Sequence, residues 1–158
     1  MKIGIIVHSQ SGHTFSVGET LRNRLESEGH EVKLMRMQTI EQPDAPKNLQ
    51  EIELDSMPDV NGYEALVFGA WVEGFDLCRG FKKYAGQLPA LKALSVSCFV
   101  TQQFRYKWMG GNRAMSKMTA LLEAKGAAVD STAIINWSHK DREQQIGQLV
   151  ERFSRQYK

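Results

Sequence analysis

The chain is poor in cysteine. It has 2 in 158 residues, Cys78 and Cys98. They do not form a Cys-x-x-C pair and leave no spaced framework, which excludes a disulfide-stapled scaffold and leads us to expect reduced thiols in a cytoplasmic protein. No grouping of histidine with cysteine or carboxylate has the spacing of a metal site. Proline is scarce too, and three of the 4 (Pro43, Pro46 and Pro58) crowd into one stretch. No apolar run reaches membrane-spanning length, and the N-terminal apolar run is too short for a signal peptide, so no membrane association is expected. An excess of one charge is also lacking. With 20 basic and 18 acidic residues the net charge is +2, too balanced to argue for a nucleic-acid partner. Repeats, low-complexity segments and linkers are absent. At 42% hydrophobic and 24% charged, the composition predicts one domain over residues 1–158 with a sizeable core.

The stretch that stands out is Ser9-Gln10-Ser11-Gly12-His13-Thr14. A short apolar run, Ile3 to His8, precedes it, and an amphipathic run from Phe15 to Glu28 follows. A buried strand, a small-residue loop and a helix start form an anion cradle. The loop amides and the first orphan amides of the helix converge, and the helix dipole favours negative charge there. Gly12 allows close backbone approach, and Ser9, Ser11 and Thr14 add hydroxyl donors. A Walker loop would need a lysine before its Ser/Thr, and a dinucleotide loop would need G-x-G-x-x-G; neither is present. The plainer reading is a polar turn that caps a helix with Ser or Thr.

The rest of the chain alternates strands with helices. Residues 2–8 are apolar almost throughout, as a strand covered on both faces should be. Val17, Leu21 and Leu25 make the stripe of a helix over about Thr14 to Glu28, which Gly29 ends. Strands are predicted over Glu31–Met37, Ala65–Ala70, Leu94–Thr101 and around Ala133–Ile135. Helices are predicted over Leu77–Leu88, from an Asn112 cap to Gly126, and from a Ser138 cap to the C-terminus, with Ile146, Leu149, Val150 and Phe153 inward. A short helix near Lys47 to Glu53 is weakly indicated. This rhythm predicts an α/β fold: a five-stranded parallel sheet, order 2-1-3-4-5, with helices on both faces. Ligands in such sheets sit at the carboxyl ends of strands beside the switch point. The loops expected there are Ser9–Thr14, Trp71–Phe75 and 102–111.

Ser-x-Ser-Gly-x-Thr after the first strand resembles the phosphate loop of the flavodoxin family, and the likeness runs through Phe68-Gly69-Ala70, the aromatic loop after it and the glycine-containing loop after the fourth strand. The resemblance implies FMN as cofactor. Ser9, Gln10, Ser11, Gly12, His13 and Thr14 would hold its phosphate. Ala70, Trp71, Val72, Glu73, Gly74 and Phe75 would form one wall around the ring, and Thr101, Gln102, Gln103, Phe104 and Gly110 the other. Family electron carriers are acidic at this edge, whereas Arg79, Lys82, Lys83, Arg105, Lys107 and Arg113 lie in or just after these two loops. A basic rim attracts anions, including NAD(P)H; a solvated basic face is the bland account. The second loop lacks the Pro-Thr-x-Phe-Gly form of the quinone reductases in this family.

Single residues carry less. Trp71 reads as a ring wall or as a packed aromatic. Phe104, Tyr106 and Trp108 alternate with Arg105 and Lys107, as in a half-buried strand, a flavin wall or, less readily, a stacking patch for nucleic acid. His13 lies in the phosphate loop; His8 reads as a structural residue at a buried strand end, and His30 and His139 as turn positions. The expected function is an FMN-binding redox protein, either an electron carrier with a redox partner protein or an NAD(P)H-dependent reductase of a small acceptor such as a quinone. No catalytic side chain is required, since the flavin carries the chemistry. A homodimer is left open. The alternative is a flavodoxin-fold binding or assembly module without flavin, and the conformation of loop 102–111 discriminates the two.

Overall fold

The computed structural model describes residues 1–40 and 48–157. Pro43, Pro46 and the Lys47 end of the short helix expected there lie outside the described residues. In chain order the elements are β1 (Lys2–His8), α1 (His13–Ser27), β2 (Glu31–Thr39), a 3-10 turn (Leu49–Glu51), β3 (Leu54–Ser56), β4 (Ala65–Glu73), β5 (Asp76–Leu77), α2 (Arg79–Gly86), β6 (Ser95–Gln102), α3 (Gly111–Ala124), β7 (Ala128–Asn136) and α4 (Arg142–Gln156).

Among the described residues the sheet runs β3-β2-β1-β4-β6-β7, with β5 paired to the end of β4. Its parallel part, β2-β1-β4-β6-β7, is the expected 2-1-3-4-5 order. Two short antiparallel strands are additions. β3 pairs with the end of β2, and β5 turns back on β4. The second of these revises one expectation. Trp71 to Phe75 is a strand end and a hairpin turn rather than a free loop, with Val72 opposite Leu77 and Glu73 opposite Asp76.

Alternation along each strand sends residues to opposite faces, and the core divides accordingly. Ile6, Leu66, Phe68, Val96, Cys98 and Val100 pack with Phe81, Tyr84 and Ala85 of α2 and with Ala114, Met118 and Leu122 of α3. Ile3, Ile5, Val7, Val67, Phe99 and Ile135 pack with Val17, Leu21 and Leu25 of α1 and with Ile146, Leu149 and Phe153 of α4. Both cysteines are free and buried, and burial pushes the Cys78 thiol up to about 12, so neither is a reactive thiolate.

The helix ends show which local signals held. Gly29 has φ 92°; its amide bonds to Glu26 O at 3.0 Å and the His30 amide to Leu25 O at 3.1 Å. Gly126 closes α3 in the same manner, and both are the doubly bonded glycine stop that the sequence predicts. The N-termini differ from expectation. The cap of α3 is Gly110, not Asn112, and that of α4 is Asp141, not Ser138. Asn112 sits one residue inside its helix, where its amide reaches back to Lys107 O at 2.9 Å.

Gly69 lies in the middle of β4, beside Phe99 of β6. A Cβ at Gly69 would stand 2.3 Å from Phe99 Cζ, inside the ring. Gly69→Ala is therefore expected to destabilise the protein by about 1–3 kcal/mol through overpacking. Urea unfolding reads this, and an unchanged midpoint would show that the Phe99 ring has room to move.

Candidate functional site

The carboxyl end of β1 leads into the Ser9–Thr14 turn. Ser9 is buried, and its Oγ accepts hydrogen bonds from the amides of Gly12 at 3.1 Å and Phe15 at 3.3 Å. That pair closes the loop upon itself. Gly12, at φ 92°, is the residue before α1 and offers no side-chain cap. Among the described residues a Cβ built there meets nothing within 4 Å, and the space above the first turn of α1 is open with respect to them. Gln10 and Ser11 are exposed around it. Arg36, on β2, donates to Ser9 O at 3.0 Å and lies 5.5 Å from the Phe15 ring centroid, bracing the loop from the side. Arg36 falls within the strand predicted over Glu31–Met37, and nothing in the sequence marked it for the site.

Thr14 takes a different place. It is 1% exposed, and its hydroxyl lies 2.8 Å from that of Thr101, which is also buried. The two threonines tie α1 to β6 beneath the loop. His13 opens α1 and stacks on Trp137, ring centroids 3.9 Å apart and planes 10° apart. The Arg142 guanidinium lies 4.6 Å from the centroid of the same indole. Burial and the Arg142 charge hold the His13 imidazole below its ordinary pKa. Trp137 and Arg142 escaped the sequence reading, since their only signal was an aromatic and a cation just after a predicted strand.

The hairpin after β4 stands next to this loop. Its turn passes through Gly74 at φ 57° and Phe75 at φ 66°, a left-handed pair that is costly for a phenylalanine. Glu73 Oε1 accepts from the Arg79 amide and from Arg79 Nε, each at 3.0 Å. Asp76 pairs with Lys82 Nζ at 2.8 Å and, at 3.8 Å, with Arg113. Two of the cations expected to make a basic rim, Arg79 and Lys82, are thus spent on hairpin carboxylates. Trp71 is half-buried and packs against the core on the α2 and α3 side, with its indole nitrogen buried and without a partner among the described residues. The exposed ring of the hairpin is Phe75.

Loop 102–111 is anchored from below. Gln102 is buried; its Nε2 donates to Tyr106 O at 2.7 Å and also to Asn136 Oδ1. The Trp137 amide bonds to Gln102 O at 2.7 Å, and the Asn136 amide to Gln145 Oε1 at 2.7 Å. Gln103 is exposed and donates to Ser138 Oγ at 3.1 Å. The loop leans on the hairpin. Phe104 stacks on Phe75 with centroids 4.9 Å apart and planes 3° apart, and a Cβ at Gly110 would lie 2.6 Å from Phe75 Cα. Tyr106 and Trp108 stack on each other, and Trp108 is 75% exposed.

The three expected stretches therefore meet at one end of the sheet, and a cavity of about 450 Å³ opens on the β2 side of the Ser9–Thr14 loop, lined in part by His8, Ser9, Arg36, Trp71 and Arg79. His8 is a satisfied residue, its Nδ1 at 3.1 Å from Met37 O.

No protein-family model matches the chain, and no curated protein matches it. Solved structures do. Oxidised flavodoxin 1 from Bacillus cereus superposes with a TM-score of 0.67 over 100% of both chains, at 17% identity. The flavodoxin, WrbA-like protein from Agrobacterium tumefaciens gives 0.66 over 99% of each chain at 16% identity. The chain has a flavodoxin-like fold. Azoreductase AzrA shares it, with a TM-score of 0.66 over 98% of each chain at 9% identity. In this chain the Ser9–Thr14 loop lies at the carboxyl end of the central strand, and the hairpin after β4 and loop 102–111 touch through Phe75 and Phe104.

The buried Thr14–Thr101 bond can be tested directly. Thr14→Val alone is expected to cost about 1–3 kcal/mol, because it strands the Thr101 hydroxyl. Thr14→Val with Thr101→Val should cost clearly less than the sum of the single variants, measured by denaturant unfolding. Additive losses would mean that the two hydroxyls do not depend on each other.

Proposed function

We propose that the protein is an FMN-binding redox protein, with the FMN phosphate in the Ser9–Thr14 cradle. The observation that carries this reading is the space over the first turn of α1, open among the described residues and with the His13 and Thr14 amides free of any side-chain cap there, beside Ser9, Ser11, Gly12 and His13 at the carboxyl end of the central strand. That is where an α/β sheet of this order takes an anionic ligand. The resemblance of the loop to the flavodoxin motif, and the fold shared with two proteins named as flavodoxins and one named as an azoreductase, support it.

The residues fit the phosphate end of FMN. At the ring end Phe75 and Phe104 are in contact, and a third ring between them requires a separation of about 7 Å, two stacking distances. Phe75 and Phe104 are the residues that would cover the flavin ring, and their mutual stack would have to part to admit it. Bound FMN would supply one- and two-electron transfer. The chain's own part is to hold the phosphate by backbone and hydroxyl donors, to cover the ring with aromatic faces and to leave one edge open for donor and acceptor. Arg105 and Lys107 are exposed on loop 102–111, which has no acidic residue. That local charge favours an anionic reaction partner such as NAD(P)H over a basic redox protein, and a small acceptor such as a quinone suits the aromatic rim.

The Phe75–Phe104 contact favours one second reading, a flavodoxin-fold binding module whose ring slot stays closed. A visible absorption spectrum of the purified protein, before and after addition and removal of excess FMN, separates the two. Retained flavin bands support the redox reading; a colourless protein that rejects FMN leaves the module. Gly12→Asp places a carboxylate in the open cradle and is expected to lower FMN affinity at least about 100-fold by charge repulsion while the circular dichroism stays native. Unchanged affinity in that variant would remove the phosphate assignment.

A further inference from the structure

We propose that His13, stacked on Trp137 beside Arg142, makes the Ser9–Thr14 cradle selective for a phosphate dianion by taking up a proton as the phosphate binds. This rests on the phosphate reading of that loop. His13 is the first residue of α1, so its imidazole stands at the positive end of a helix whose Phe15 amide is taken by Ser9 Oγ while the His13 and Thr14 amides have no side-chain cap among the described residues. The ring is fixed by stacking, with its centroid 3.9 Å from that of Trp137. Trp137 is in turn held by Arg142, whose guanidinium lies over the indole and donates from Nη1 to Trp137 O at 3.1 Å. Neither imidazole nitrogen of His13 has a hydrogen-bond partner among the described residues, so both remain for a ligand.

The electrostatics of the empty cradle disfavour imidazolium. Partial burial and the Arg142 charge hold the pKa below the ordinary value, and the positive helix end acts in the same direction. The other charged groups on the elements packed here are Glu143 beside Arg142, the His139–Asp141 pair in the same turn, and Arg36, which reaches the loop from β2. A phosphate dianion in the cradle reverses this balance. It offsets the helix end and Arg142 and gives an imidazolium a direct partner, so binding and protonation favour each other. The sign follows. The His13 pKa is higher with phosphate bound than without, a proton is taken up at pH values between the two, and affinity falls as pH rises through the bound-state value. A neutral ligand has no such term.

The test is FMN titration from about pH 6.5 to pH 8.5, where the phosphate ester is mostly dianionic, with riboflavin as the neutral control. For the native chain, FMN affinity is expected to fall about tenfold across that range, as partial uptake of one proton requires. His13→Asn, a change at a half-exposed position, should bind FMN with little pH dependence, and riboflavin should show none with either protein. Equal FMN profiles in the native chain and His13→Asn would overturn the proposal and leave FMN binding intact. If neither flavin binds, the flavin reading fails by itself. The proposal is then decided by the His13 ring protons in NMR titrations with and without inorganic phosphate: a pKa raised by phosphate sustains it, and one unmoved by phosphate removes it.

Discussion

The site depends on how β1 is converted into α1. A strand whose neighbours are β2 on one side and β4 on the other has its side chains consumed by two cores, and Ile3, Ile5, Ile6 and Val7 are wholly buried. Its last residues must then turn into a helix within a few positions. Gly12 in the left-handed region makes that turn, and Ser9 Oγ takes the two amides that the turn would otherwise strand. Because the serine oxygen serves the loop, the remaining first-turn amides of the helix are not capped from within the chain. A donor-rich concavity at the end of the central strand follows from chain geometry as much as from any single side chain.

Polar side chains buried at the same end keep the loops in register with that concavity. Thr14 and Thr101 tie α1 to β6. Gln102 and Asn136 tie β6 to β7 and, through Tyr106 O, hold loop 102–111 over the sheet end. Buried polar groups are costly unless paired, so these bonds set where the loops can sit. Gln102 and Thr101 belong to the family-derived ring wall, yet their side chains work below the surface, and the aromatics that reach solvent are Phe75, Phe104, Tyr106 and Trp108. Two stacked pairs of exposed rings, Phe75 on Phe104 and Tyr106 on Trp108, form an apolar rim on the hairpin and the anchored loop.

Much of this was legible in the sequence because it rests on local rules. The unbroken apolar run of β1, the four-residue stripe of α1 and the glycine stops at Gly29 and Gly126 each have one physical cause, and each was found. Boundaries decided by longer contacts were not. The hairpin Val72–Leu77 is held by Glu73–Arg79 and Asp76–Lys82 pairs, and no short-range pattern distinguishes Trp-Val-Glu-Gly-Phe-Asp from a loop. Asn112 and Ser138 are good capping residues at the wrong places, because the turns before α3 and α4 are set by Gly110 against Phe75 and by the Trp137–Arg142 contact. The stacking of His13 on Trp137 joins residues from opposite ends of the chain, and only the fold brings them together.

That contact also changes what the charge of the chain means. A balanced net charge excludes long-range attraction as a source of ligand affinity, so selectivity has to come from fields at short range. Near the Ser9–Thr14 loop the positive end of α1, Arg36 at Ser9 O and Arg142 over Trp137 supply positive fields, with Glu143 and Asp141 as the carboxylates close to Arg142. The carboxylates of the neighbouring hairpin are bound to their own cations and do not oppose them. In a protein that is nearly neutral, the electrostatics at His13 are therefore set by the few groups the fold brings around it, and its stacking on Trp137 fixes the ring among them.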